Sequence, residues 1–95
     1  MWPAKLRNWS LKIYETAKFK RLRKKLRSAL EREALKQALA AVGGNPRAGK
    51  PLKGEFKDLW RYSYAVSGQE RRLIYQPGQD CLYLLSFGPR EGIYK

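Results

Sequence analysis

Leu59–Gln76 reads LWRYSYAVSGQERRLIYQ: two β-rich runs on either side of Ser67-Gly68. A serine–glycine pair between such runs predicts a two-residue hairpin turn. If these two residues are the turn, Val66 faces Gln69, Ser63 faces Arg72 and Arg61 faces Ile74. Side chains alternate between the two faces of a strand. Arg61 and Arg72 therefore share one face as diagonal neighbours. Trp60, Tyr62, Tyr64, Leu73 and Tyr75 fall on the other, which is the natural seat for helices. A one-residue slip would exchange the two sets.

Working outward, Pro77-Gly78-Gln79-Asp80 reads as a second turn. Cys81–Phe87, CLYLLSF, is apolar at nearly every position and predicts a central strand covered on both faces. Gly88-Pro89 ends it, leaving a short tail, Arg90–Lys95. Upstream, residues 43–57 (GGNPRAGKPLKGEFK) hold two prolines and four Lys/Arg, the composition of a basic surface loop.

From Thr16 to Val42, apolar residues recur at three- and four-residue steps: Phe19, Leu22, Leu26, Leu30, Leu35, Ala38, Leu39 and Val42. This is an amphipathic helical stripe built from good helix formers. Thr16 is a candidate N-cap, and Gly43-Gly44 followed by Asn45-Pro46 is a stop signal with glycine available for a left-handed cap. One helix over this span would reach about 40 Å at 1.5 Å per residue. A break near Lys24–Ser28, giving a helical hairpin, is expected. Before it, WSLKIY (Trp9–Tyr14) alternates like a half-buried strand. The predicted class is α+β: a small antiparallel sheet with an N-terminal strand, a helical hairpin on one face and a C-terminal three-strand meander, in one domain spanning residues 1–95.

The chain carries 21 Lys+Arg against 8 Asp+Glu, a net charge of +13 over 95 residues. Such an excess points to a polyanionic or acidic partner, nucleic acid first. Lys18–Arg27 packs seven cations into ten residues. It is either a solvated helix face or a ridge, including Arg23, Lys24 and Arg27, that holds phosphates without reading sequence. Histidine is absent and cysteine occurs once, at Cys81. That argues against a metal site, a cofactor of that kind and an internal disulfide framework. No apolar run is long enough to span a membrane, and the opening MWPAKLRNW lacks the apolar middle of a signal peptide. A cytoplasmic location fits.

Several local runs then stand in a telling order: Pro51-Leu52-Lys53-Gly54, Leu59-Trp60-Arg61, Arg72-Leu73-Ile74-Tyr75-Gln76 and Gly88-Pro89-Arg90-Glu91-Gly92-Ile93-Tyr94. In this order and spacing, the chain resembles the RelE/ParE toxin superfamily of type II toxin–antitoxin systems. The resemblance implies a toxin that either cuts mRNA on the ribosome, as RelE-like members do, or inhibits DNA gyrase, as ParE-like members do. In the RelE-like branch it implies catalytic roles for Lys53, Arg61, Arg72, Arg90 and Tyr94, with Lys50 as a weaker addition. Arg47 and Lys57 would assist RNA binding. It further implies a cognate antitoxin and contacts to ribosomal RNA. A basic RNA-binding protein without activity is the remaining alternative.

The residue types suit RNA cleavage. RNA carries its own nucleophile, the 2′-OH. Arginine is always protonated and forks onto phosphate oxygens, so it can clamp the phosphate and stabilise transition-state charge. Lys53 beside arginines, or Glu91, is a candidate base. Tyr94 can stack on a base, join proton transfer or simply anchor the tail.

Overall fold

A computed structural model describes residues 12–89. The elements run β1 (Lys12–Glu15), α1 (Ala17–Lys24), α2 (Ala29–Gly44), β2 (Lys50–Pro51), a 3-10 turn (Gly54–Phe56), β3 (Trp60–Val66), β4 (Gln69–Pro77) and β5 (Cys81–Pro89). They form one five-stranded sheet in the order β1-β5-β4-β3-β2. The expected first strand is present from Lys12 onward, while its opening residues, Trp9–Leu11, lie outside the described residues. Among the described residues no helix is long and apolar enough to cross a membrane.

The helical hairpin breaks where expected. Ser28 is extended and its hydroxyl accepts from the Glu31 N–H, capping α2. Thr16 caps α1 in the same way through the Phe19 N–H. The Thr16 hydroxyl also donates to the Leu84 carbonyl at 2.9 Å, which fastens the start of α1 to β5. The far end of α2 differs from expectation. Gly43 and Gly44 remain helical, and Asn45 terminates the helix in an extended conformation (φ −152°, ψ 95°). The following Pro46 disfavours a helical residue at that position, so no left-handed cap is required.

The hairpin register is as the turn predicts: Val66 pairs with Gln69, Ser63 with Arg72 and Arg61 with Ile74. Ser67 and Gly68 both adopt positive φ, 51° and 80°, the handedness that matches the twist of the two strands. The helices cover the aromatic face. Phe19, Leu35, Leu39, Val42, Leu73, Tyr75, Leu82 and Leu84 make the core, and Trp60, Tyr62 and Tyr64 pack against it. Phe19 meets Phe87 edge to face at 5.1 Å between centroids.

Three features were not expected. The sheet is mixed rather than antiparallel throughout, because β1 runs parallel to β5, with Ile13 beside Leu82 and Tyr14 beside Tyr83. A parallel neighbour needs a long crossover, and the helical hairpin stands within it. Second, the basic loop contains a short edge strand, β2, with Lys50 opposite Arg61. Third, β5 is not covered on both faces, since Tyr83 is 41% exposed.

Candidate active site

The face opposite the helices carries the cations. Alternation along β3 and β4 puts Arg61, Ser63, Glu70, Arg72 and Ile74 there, and the β2–β3 pairing adds Lys50. Cross-strand partners on one face are close neighbours. Lys50 and Arg61 thus form a cationic pair on one side of Ile74, with Arg72 on the same face.

Arg72 is largely enclosed, with 12% of its side chain exposed. Its Nε donates to Glu70 Oε2 at 3.3 Å, and Ser63 Oγ donates to the same oxygen at 3.3 Å. A carboxylate and a hydroxyl therefore stand within the arginine cluster. Neither was singled out from the sequence, although stepping by two from Arg72 reaches Glu70 and stepping by two from Arg61 reaches Ser63. The group can clamp a phosphate, neutralise added negative charge and accept a proton.

The basic loop is tied down from below. Tyr75 is fully buried. Its hydroxyl donates to the Pro46 carbonyl at 2.6 Å and accepts from the Gly49 N–H at 3.1 Å. Burial pushes its pKa up, against the lowering effect of the Gly49 N–H. Gly49 lies so close to β3 that a Cβ there would stand 2.2 Å from the Arg61 carbonyl oxygen. Only glycine fits, and the contact delivers the next residue, Lys50, to its place opposite Arg61.

The other sequence candidates separate. Lys53 is exposed and begins the 3-10 turn, just beyond the point where the Leu52 N–H closes the loop onto the Leu59 carbonyl at 2.8 Å. It is Lys50 that strand pairing brings to Arg61. Arg47 and Lys57 line a cavity of about 580 Å³ with Asn45, Trp60 and Gln76. On α1, Arg23 is forked onto Glu15, its Nη2 3.0 Å from Oε1, and this hydrogen bond raises its already high pKa. Arg23 is thereby tied to β1, whereas Lys24 and Arg27 are exposed. Arg90, Glu91 and Tyr94 lie outside the described residues.

Arg71 points to the helix side, where its Nη2 meets Glu31 Oε1 at 3.2 Å. Beside this pair the Tyr64 hydroxyl has its pKa pushed up to about 12, chiefly by burial, with Arg71 opposing and Glu31 adding to the shift. This cluster borders a cavity of about 260 Å³ between the helices and the sheet, which also holds Leu22 and Phe87. It is on the helix side of the sheet, whereas the arginine cluster is on the open side.

No curated protein sequence matches the chain. Among solved structures, the intact E. coli RelBE toxin–antitoxin complex contains a chain that is 27% identical, with a TM-score of 0.69, covering 86% of this chain and 99% of that one. Free E. coli RelE, solved as a double arginine-to-alanine mutant, is 26% identical with a TM-score of 0.68, covering 90% and 88%. The RelBE2 toxin–antitoxin complex of Mycobacterium tuberculosis shares the fold at 23% identity and a TM-score of 0.66, covering 85% and 99%. The model of the ParE-like toxin of type II bacterial toxin–antitoxin systems matches residues 13–95. The chain belongs to this ParE-like family of type II toxins, with the α+β fold of the RelE toxins.

Proposed function

We propose that the chain is an mRNA endonuclease that acts on the ribosome and is held silent by a cognate antitoxin. The carrying observation is the shared open face of Arg61, Arg72, Lys50 and Glu70. Arg72 and Arg61 grip the scissile phosphate and offset the charge that builds up on it. Glu70 takes the proton from the 2′-OH. The 2′-oxygen attacks phosphorus, the bond to the 5′-oxygen breaks, and that oxygen leaves with a proton taken from water. The products are a 2′,3′-cyclic phosphate and a 5′-OH. Lys50 adds charge beside Arg61, and Lys53 lies on the approach. Arg90 and Tyr94 retain the roles that the family resemblance implies, Arg90 on the phosphate and Tyr94 on a base or in proton transfer.

A face with so few acid–base groups gains most from having its substrate positioned, and the ribosome supplies that positioning. A net charge of +13 suits both mRNA and an acidic antitoxin. A chain similar to this one is found in a toxin–antitoxin complex, which supports a cognate antitoxin.

The test is incubation with programmed ribosomes and mapping of mRNA ends. Discrete cuts carrying 5′-OH termini are expected. The family match is to ParE-like toxins, which favours one other reading, inhibition of DNA gyrase. Intact mRNA together with blocked supercoiling by gyrase would establish that reading and sink the first.

A further inference from the structure

The open face continues past the arginines to a feature that the cleavage chemistry does not use. Tyr14 and Tyr83 are cross-strand partners on β1 and β5. Their rings stack at 5.5 Å between centroids with 22° between planes. Both are well exposed, 46% and 41%, in a chain whose other tyrosines on described strands are half-buried or buried. Core packing does not account for two large stacked rings in water.

Their position is set by register. Tyr83 pairs with Gln76 on β4, and Gln76 is two residues from Ile74, the partner of Arg61. The tyrosines therefore share the face of Arg61 and Arg72. Ile74, on this same face, lines an open apolar trough of about 360 Å³ with Thr16, Phe56, Leu59 and Leu85, and with Ser86 and Lys18 beside them. Lys12, two residues before Tyr14 on β1, is exposed on the same face.

We infer that the Tyr14–Tyr83 pair is a stacking platform for a nucleobase of the single-stranded RNA whose phosphate lies on the arginines. The inference rests on the proposed function and names where the strand goes next. Every base has a π-face, so aromatic platforms beside a cationic groove hold single strands with little sequence preference. The surrounding cations fit a polyanion, and the trough gives the strand a path with no acidic side chain among the described residues of its lining. A platform of this kind fixes how the strand lies relative to Arg61 and so selects which phosphate is presented.

The test measures binding apart from cleavage. The probe is a twelve-nucleotide single-stranded RNA with 2′-O-methyl riboses, which lacks the nucleophile, labelled for fluorescence anisotropy. Wild type and the Tyr14→Phe/Tyr83→Phe pair should bind alike. Tyr14→Thr/Tyr83→Thr should bind at least five-fold more weakly, with the same salt slope, since no phosphate contact is removed. An abasic version of the probe should lose affinity for wild type and not for the Thr pair. This arm uses the unaltered protein, so it holds even if the Thr pair folds poorly. Equal binding of intact and abasic probes by wild type overturns the inference. So does unchanged RNA affinity in a folded Thr pair that binds the cognate antitoxin more weakly, which would put the tyrosines on the protein interface. Absence of cleavage on ribosomes would instead remove the nuclease reading and leave this measurement standing.

Discussion

The buried hydroxyl of Tyr75 donates to the carbonyl of Pro46, so a core strand holds a surface loop by a single oxygen. The same oxygen accepts from Gly49, one residue before Lys50. The aromatic core and the cationic face are thus joined through a side chain that belongs to the first and orders the second.

Tyr75→Phe keeps the ring and removes both hydrogen bonds. Chemical denaturation should show a loss of about 1–3 kcal/mol, the usual cost of leaving buried partners unsatisfied. Cleavage should fall as well, because Lys50 is no longer held opposite Arg61. Full activity with reduced stability would show that the loop finds its place without the tyrosine.

Gly49→Ala should be worse than Tyr75→Phe. The new Cβ meets backbone at the Arg61 carbonyl, which cannot swing aside, and also lies 2.7 Å from the Tyr75 hydroxyl. Either β2 detaches from β3 or β3 shifts. Hydrogen exchange at the Arg61 amide and its neighbours should report the detachment. Protection equal to wild type would contradict the tight approach.

Arg61→Ala and Arg72→Ala should each lower ribosomal cleavage by about 100-fold or more, as expected when a charge-stabilising group is removed. Arg61 lies outside the helix-facing core, so its variant should keep its melting temperature. Arg72 is largely enclosed, and truncating it leaves Glu70 without that donor, so a modest stability loss should accompany it. If both variants cut at wild-type rates, the active-site assignment fails.

For Glu70, the pH profile separates proton transfer from simple support of Arg72. A carboxylate base works only when deprotonated, so activity should be lost in acid. Glu70→Gln keeps a hydrogen-bonding side chain near Ser63 and cannot accept the proton. Its rate should fall by about 100-fold or more, and the acidic limb of the profile should disappear. A small loss with the limb unchanged would make Glu70 a positioning residue for Arg72.

Much of this face could be read in advance. Ser67-Gly68 set the hairpin register, and the register alone separated arginines from aromatics. The break between the helices followed from length. Other features left no local trace. The strand Lys50–Pro51 is made by its partner, β3, rather than by its own residues, since Gly49 precedes it and Pro51 is half of it. Pairing of β1 with β5 joins distant segments and has no sequence signal in either. Glu70 is legible in principle, since it stands two residues before Arg72 and so on the same face, where its carboxylate accepts from that arginine.

Alkaline stability offers a check on the helix side. Burial raises the Tyr64 pKa to about 12, against an ordinary value near 10. The neutral phenol is favoured in the folded state, so this contribution is complete below about pH 10. It is lost as pH rises from about 10 to about 12, because the unfolded chain releases the proton first. Tyr64→Phe should therefore flatten the decline of stability across that window. A decline as steep as wild type would assign it to other groups, among them Tyr75, whose pKa is raised in the same direction.

The parallel pairing of β1 with β5 also sets an order of events during synthesis. Thr16 reaches the Leu84 carbonyl across 68 residues of chain. On a translating ribosome the first strand must wait until the last has cleared the exit tunnel before the two can join. Contacts of such separation close late and slowly. The hairpin that bears the arginines emerges earlier, and until β5 follows, β4 lacks the neighbour that covers its other edge. A nascent chain therefore passes through an unfinished form before its sheet closes.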